Sequence, residues 1–121
     1  MVIMKFLGHK LKHLKPPGVA LYSDVEVLFE DIRTDLYVEY NNAARKEKRQ
    51  YFIEVERNNS ASIHEKIMKY YSLFITRNDP GDKLVFMCQQ KRTLNQADRC
   101  RQECPDLNMQ AVMFSNIKGI F

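Results

Sequence analysis

The sequence predicts an α/β (α+β) fold in which a central mixed β-sheet is flanked by helices, and three observations carry this. Val25–Phe29, Thr34–Tyr40 and Gln50–Glu56 alternate apolar and polar residues with the period of a strand. Two later apolar runs, Lys83–Cys88 and Met109–Phe114, each follow a segment with helical character. The first three strands are close enough in sequence to form an antiparallel meander, whereas strands joined through helices need parallel crossovers. The expected order is therefore helix, three strands, helix, strand, helix, strand. With 121 residues and 14.3 kDa, residues 1–121 make one domain with a single core.

Ile3, Leu7, Leu11 and Leu14 recur at helical spacing, and Pro16, Pro17 and Gly18 end that first helix. Val25–Phe29 reads as a strand, with a short helix after Ser23 and Asp24 as the competing reading. In Thr34–Tyr40, Asp35, Tyr37 and Glu39 share one face, and Leu36, Val38 and Tyr40 the other. Asn41 and Asn42 open a polar, basic connection through Arg49. In Gln50–Glu56, Tyr51, Ile53 and Val55 share one face, and Phe52, Glu54 and Glu56 the other, so these two strands are expected to pair as a hairpin.

Arg57, Asn58 and Asn59 form the next turn, and Ser62 with Glu65 fits a capping box. Ile63, Ile67, Tyr71 and Phe74 then form the apolar stripe of a helix that ends at Asn78–Gly81. Lys83–Cys88 is a continuous apolar run of the kind covered on both faces. A polar helix over Thr93–Glu103, stopped by Pro105, and a strand over Met109–Phe114 complete the chain. There is no internal repeat.

Composition narrows the function classes. No apolar run approaches the roughly 20 residues of a membrane helix, and the N-terminal stretch, soon interrupted by Lys and His, is a poor secretory signal. Three cysteines without a close pairing pattern agree with a reducing compartment, so the cytoplasm is the expected location. His9 with His13, and Cys100 with Cys104, have four-residue spacings; neither pair has the tight gap of common zinc sites.

The formal net charge is +4. Lys5, Lys10, Lys12 and Lys15 load the first segment, and Arg45, Lys46, Lys48 and Arg49 load the hairpin connection, with an acidic stretch between them. A basic periphery around an acidic centre suits a metal-dependent protein on a phosphate polymer, since cations attract the backbone and carboxylates hold a metal. If the two central strands pair, Asp35, Glu54 and Glu56 converge. Like charges brought together call for compensation, and Mg²⁺ (or Mn²⁺) held by Asp35, Glu54 and the Val55 carbonyl supplies it. Lys66 is then the positive charge for a developing anion. Alternation alone also accounts for these acids, as the wet face of a half-exposed antiparallel sheet.

The segments TDLYVEY, YFIEVERNN and HEKIMKYY resemble the run found in the replication-relaxation family of mobile-element proteins, a branch of the PD-(D/E)XK nuclease-like superfamily. That pattern is a Pro-Asp opening a strand, a strand ending Glu-x-Asp-Arg, and a helix with Lys-x-x-x-Tyr. The resemblance covers about half the chain. It implies that Asp35, Glu54, Glu56 and Lys66 are catalytic, that Asp35 and Glu54 hold the metal, and that Arg57 and Tyr70 join Arg45, Lys46, Lys48 and Arg49 in contacting DNA. Thr34 stands where the family has Pro, and Glu56 where it has Asp; the family's N-terminal winged helix has no counterpart. The implied function is a Mg²⁺-dependent nuclease-like hydrolase of a mobile element such as a plasmid. The alternative is an inactive DNA-binding or protein-interaction module on the same fold. The implied partners are DNA, a second copy of the chain, and replication or mobilisation proteins.

Overall fold

The apolar residues of the strands divide between two faces of one sheet, and a different set of helices covers each face. A computed structural model describes residues 2–57 and 62–121. The turn assigned to Asn58 and Asn59 lies outside the described residues, as does the side chain of Ile3. The elements are α1 (Val2–Leu14), β1 (Val19–Phe29), β2 (Ile32–Asn42), β3 (Glu47–Glu56), α2 (Ile63–Arg77), β4 (Asp82–Cys88), α3 (Lys91–Glu103), β5 (Met109–Met113) and a 3₁₀ segment, Phe114–Ile120. This order departs from the expected one at the C-terminus, where the 3₁₀ segment begins at Phe114 in place of the strand's last residue.

One five-stranded sheet has the order β1-β2-β3-β4-β5. Pairing is antiparallel from β1 through β3 and parallel from β3 through β5, so the sheet is mixed. The first three strands are longer than alternation alone predicted. β1 is an edge strand whose exposed Ala20, Tyr22 and Asp24 diluted the apolar signal of its first half.

Leu36, Val38, Tyr51, Ile53, Val85 and Met87 pack with Leu7 and Leu11 of α1 and with Ile117 and Ile120 of the 3₁₀ segment. Phe52, Leu84 and Phe86 pack on the other face with Ile63, Ile67, Tyr70 and Leu73 of α2 and with Ala97 and Cys100 of α3. β4 is thus buried on both sides, as its continuous apolar run requires. The buried stripe of α2 uses Tyr70 where Tyr71 was expected. A helix turns 100° per residue, so the seventh position after Ile63 lies nearer the stripe's centre than the eighth.

The expected capping box is not formed. Ser62 holds φ −102° and ψ 5° and makes no side-chain cap bond, because an N-cap needs an extended ψ to aim its hydroxyl at the helix N–H groups. At the other end, Asn78 takes the left-handed conformation (φ 52°) and its N–H returns to Phe74 O. Gly81 then lets the chain press against β3. A Cβ there would stand 2.5 Å from Lys48 O, and Gly81 O accepts a 2.8 Å bond from Gln50 N. Among the described residues no helix is long and apolar enough to cross a membrane.

Candidate active site

The site is made by an interruption in strand alternation. Along β1, Val19, Leu21 and Val25 pack on the α1 face but Val27 and Phe29 on the α2 face; along β2, Ile32 packs on the α2 face but Leu36, Val38 and Tyr40 on the α1 face. All are spaced by even steps, so the alternation slips by one residue in both strands. Glu26 sits at the slip in β1, with a φ of 53° that costs free energy for any residue but glycine. The pairs Val25↔Leu36 and Val27↔Thr34 flank it, which sets Glu26 opposite Asp35.

Pairing between β2 and β3 also stops here, at Leu36↔Ile53. Beyond that point side chains replace the backbone ladder. Asp35 N donates to Glu54 Oε2 at 3.1 Å, and Val55 N donates to Asp35 Oδ2 at 2.9 Å. Each carboxylate is therefore fastened to the other's strand. Glu39, expected to share this patch, does not join it; it lies four residues away along β2, opposite Gln50, and accepts from the Tyr37 hydroxyl.

Helix α2 supplies the rest. Lys66 and Tyr70, four residues apart, lie on one helix face. Lys66 Nζ is 2.6 Å from Glu56 Oε1 and 3.6 Å from Glu54 Oε1. The Tyr70 hydroxyl donates to Glu54 Oε2 at 3.0 Å and lies 2.8 Å from Thr34 Oγ1. Thr34, fully buried, was missed as a site residue by sequence reasoning, which placed it as the start of a strand and at the family's Pro position. Tyr70 is 1% exposed, which corrects its expected role as a DNA contact. An aromatic ring in the core cannot stack on a base, and its hydroxyl is already committed to orienting Glu54.

Glu54 and Glu56 are each 4% exposed, so the wet-face explanation does not hold for them. Burial first, and then the nearby Asp35 charge, push Glu54 up to about 7 from an ordinary 4.5, against the opposing pull of Lys66 and the hydrogen bonds from Asp35 N and Tyr70. Burial pulls Lys66 toward the neutral amine, but the Glu56 hydrogen bond and the surrounding carboxylates outweigh it and hold its pKa above the ordinary value. Burial and the Glu54 charge raise Tyr70, keeping it a proton donor.

Glu54 thus binds its proton more tightly folded than unfolded. That stabilisation is fully present below about pH 4.5 and is lost as pH rises through about 7. In chelator-containing buffer the expected loss is on the order of 3 kcal/mol, measured by urea unfolding across that range. A Glu54→Gln variant is expected to flatten the curve; an unchanged slope would assign it to other groups.

Of the other expected site residues, Arg57 directly follows Glu56 and is exposed at the same end of the sheet. Arg45, Lys46, Lys48 and Arg49 are at the opposite end, around the β2–β3 hairpin. From Glu54 back to Glu47, β3 covers about 23 Å. Arg49 is engaged with Glu47 and the Tyr51 hydroxyl. The nitrogens Nε2 of His9 and His13 lie 3.2 Å apart on α1. Cys100 is buried in the core and Cys104 partly so, with all three cysteines free. Among the described residues no group of three or more His, Cys, Asp or Glu side chains is arranged to hold a metal ion. Comparison with models of known protein families gives no match, and comparison with curated proteins gives none either.

Proposed function

We propose that the protein is a DNA phosphodiester hydrolase of the PD-(D/E)XK nuclease-like kind, with its centre at Asp35, Glu54, Glu56 and Lys66. The observation that carries the reading is the reach of Lys66. It arrives from a helix at two carboxylates, Glu54 and Glu56, while Asp35 is bound to the same strand. Two strands and a helix thereby converge three acids and one cation at the carboxyl end of β3, the strand that begins the parallel half of the sheet. The resemblance to replication-relaxation proteins supports DNA as the substrate and a mobile element as the setting.

Asp35 and Glu54 are the residues to hold Mg²⁺ or Mn²⁺, with the Val55 carbonyl beside them. Two carboxylates are a sufficient protein share for Mg²⁺, which takes its remaining ligands from water and substrate phosphate. Burial, and then the Asp35 charge, raise the proton affinity of Glu54 even with Lys66 beside it, and a cation between the two carboxylates would offset both. When bound, the metal lowers the pKa of a water and polarises a phosphoryl oxygen. Lys66 presents a fixed positive charge to the anion that develops at the scissile phosphate. Glu56 holds the Lys66 ammonium in position, a positioning role, and Tyr70 with Thr34 sets the rotamer of Glu54.

The test is cleavage of supercoiled, linear, branched and single-stranded DNA with Mg²⁺ or Mn²⁺, beside an Asp35→Ala/Glu54→Ala variant. Cleavage by the wild type, reduced at least about a hundredfold in the variant, is the expected result. Cleavage that persists in the variant, or that never occurs on any substrate, overturns the proposal. DNA binding that survives the substitutions without cleavage identifies an inactive binding module.

A further inference from the structure

At the end of the sheet away from the carboxylates, the β2–β3 hairpin and the turn from α2 into β4 enclose an open groove of about 540 Å³. Arg45, Lys46, Lys48, Arg49 and Lys83 line it against a single acid, Glu47. That excess of four positive charges equals the formal net charge of the whole chain, +4, so the remaining residues balance. The groove is one of two basic concentrations in the chain, the other being Lys5, Lys10, Lys12 and Lys15 of the first segment.

The groove's interior is organised. The Arg49 guanidinium is 3.1 Å from both Glu47 oxygens and 3.0 Å from the Tyr51 hydroxyl, and it lies 4.4 Å over the Tyr40 ring. Glu47 is thereby neutralised from within, and Arg45, Lys46, Lys48 and Lys83 have no ion pair among the described residues. Lys83 is partly buried, with Nζ 6.0 Å from the centroid of Tyr51. Burial, and then the charge of Arg49, lower its pKa, the mark of a cation that lacks a counter-charge. Gly81 holds the two walls together through its contact with Lys48 and its bond to Gln50.

We propose that this groove binds the phosphate backbone of DNA as a second contact, remote from the carboxylate centre, with Lys46, Lys48 and Lys83 facing phosphates and Arg49 acting as scaffold. The inference rests on the reading of DNA as substrate. Cations spread along the hairpin and the neighbouring strand β4 in an open groove match a run of phosphates better than one small anion, which is held in an enclosed pocket of converging donors. The separation of about 23 Å along β3 corresponds to roughly seven base pairs of duplex. Lys83 was absent from the basic set legible in the sequence because it lies in an apolar strand, and only parallel pairing of β4 with β3 sets it beside Tyr51.

The test uses Lys46→Glu/Lys48→Glu, two exposed hairpin positions, and fluorescence anisotropy with a DNA duplex in chelator over a range of salt. Affinity is expected to fall by roughly tenfold or more, and the slope of log affinity against log salt to become shallower by about 2. The melting temperature should be unchanged. Unchanged affinity and slope would overturn the inference. So would a variant that binds DNA normally but no longer binds phosphatidylserine vesicles, which assigns the groove to membranes. The two readings fail separately: no cleavage with groove-dependent binding removes the hydrolase only, and cleavage with groove-independent binding removes the groove only.

Discussion

A Lys66→Met variant is expected to lose about 3 kcal/mol or more of stability at pH 8 and much less at pH 5. Methionine keeps most of the side-chain volume, so packing changes little, but Glu54 and Glu56 are left 4% exposed with no cation beside them. Removing one partner of a buried charge pair typically costs about 3–5 kcal/mol, because the other charge stays desolvated. Lys66 already acts against a Glu54 pushed up to about 7 by burial and by Asp35. Without Lys66, Glu54 holds its proton more tightly still. Low pH therefore neutralises the strain, and the cost appears as pH rises through the folded pKa. Urea unfolding at the two pH values measures this, and an equal loss at both would show that Lys66 contributes packing and not charge. Under the proposed hydrolase function, cleavage assayed below the unfolding transition is expected to fall at least about a hundredfold.

Arg77→Met is expected to cost about 3–5 kcal/mol, with no direct effect on the carboxylate centre. Arg77 Nε and a terminal nitrogen bind the two Asp82 oxygens at 2.7 and 3.1 Å, joining the end of α2 to the start of β4. The same guanidinium lies 5.6 Å from the centroid of Phe29 and 5.1 Å from that of Phe52, capping the aromatic cluster on the α2 face. Asp82 is 3% exposed, and burial raises its pKa even with the opposing hydrogen bond and charge of Arg77 in place. Asp82 without Arg77 is thus a buried carboxylate left without a cation. The fall in melting temperature should be roughly 10–20 °C, read by circular dichroism. Arg77→Met/Asp82→Asn should recover part of it, since the second change removes the stranded charge. A double variant less stable than Arg77→Met would show that the Asp82 carboxylate has other stabilising partners.

These two ion pairs differ in how visible they were. Lys66 was singled out because a helix Lys follows the Glu54-Val55-Glu56 strand in a recognisable spacing. Arg77–Asp82 gave no signal, since Arg77 reads as an ordinary basic residue in a helix's last turn and Asp82 as part of a turn. The basic hairpin was legible as a charge run, but its distance from the carboxylates was not, because that distance is set by where along β3 each residue falls. Tyr70 was misplaced for a related reason: an apolar stripe read from spacing admits either of two adjacent tyrosines until the sheet shows which one it covers.

By itself the sequence determined the mixed sheet, the helices that cross between its later strands, and a pair of acids two residues apart on β3. Those follow from short-range periodicity, which each segment carries in its own residues. Only the tertiary structure decided what the acids do. The slip at Glu26 and Asp35, the end of β2–β3 pairing at Leu36, and the arrival of Lys66 and Tyr70 over Glu54 all depend on register and packing between distant segments. Alternation predicts Asp35 on a face with Glu39; the slip instead ties it to Val55 and Glu54. The physical reason is that burying the two carboxylates is tolerable only where backbone N–H groups and a lysine are placed to meet them, and no local pattern records that placement.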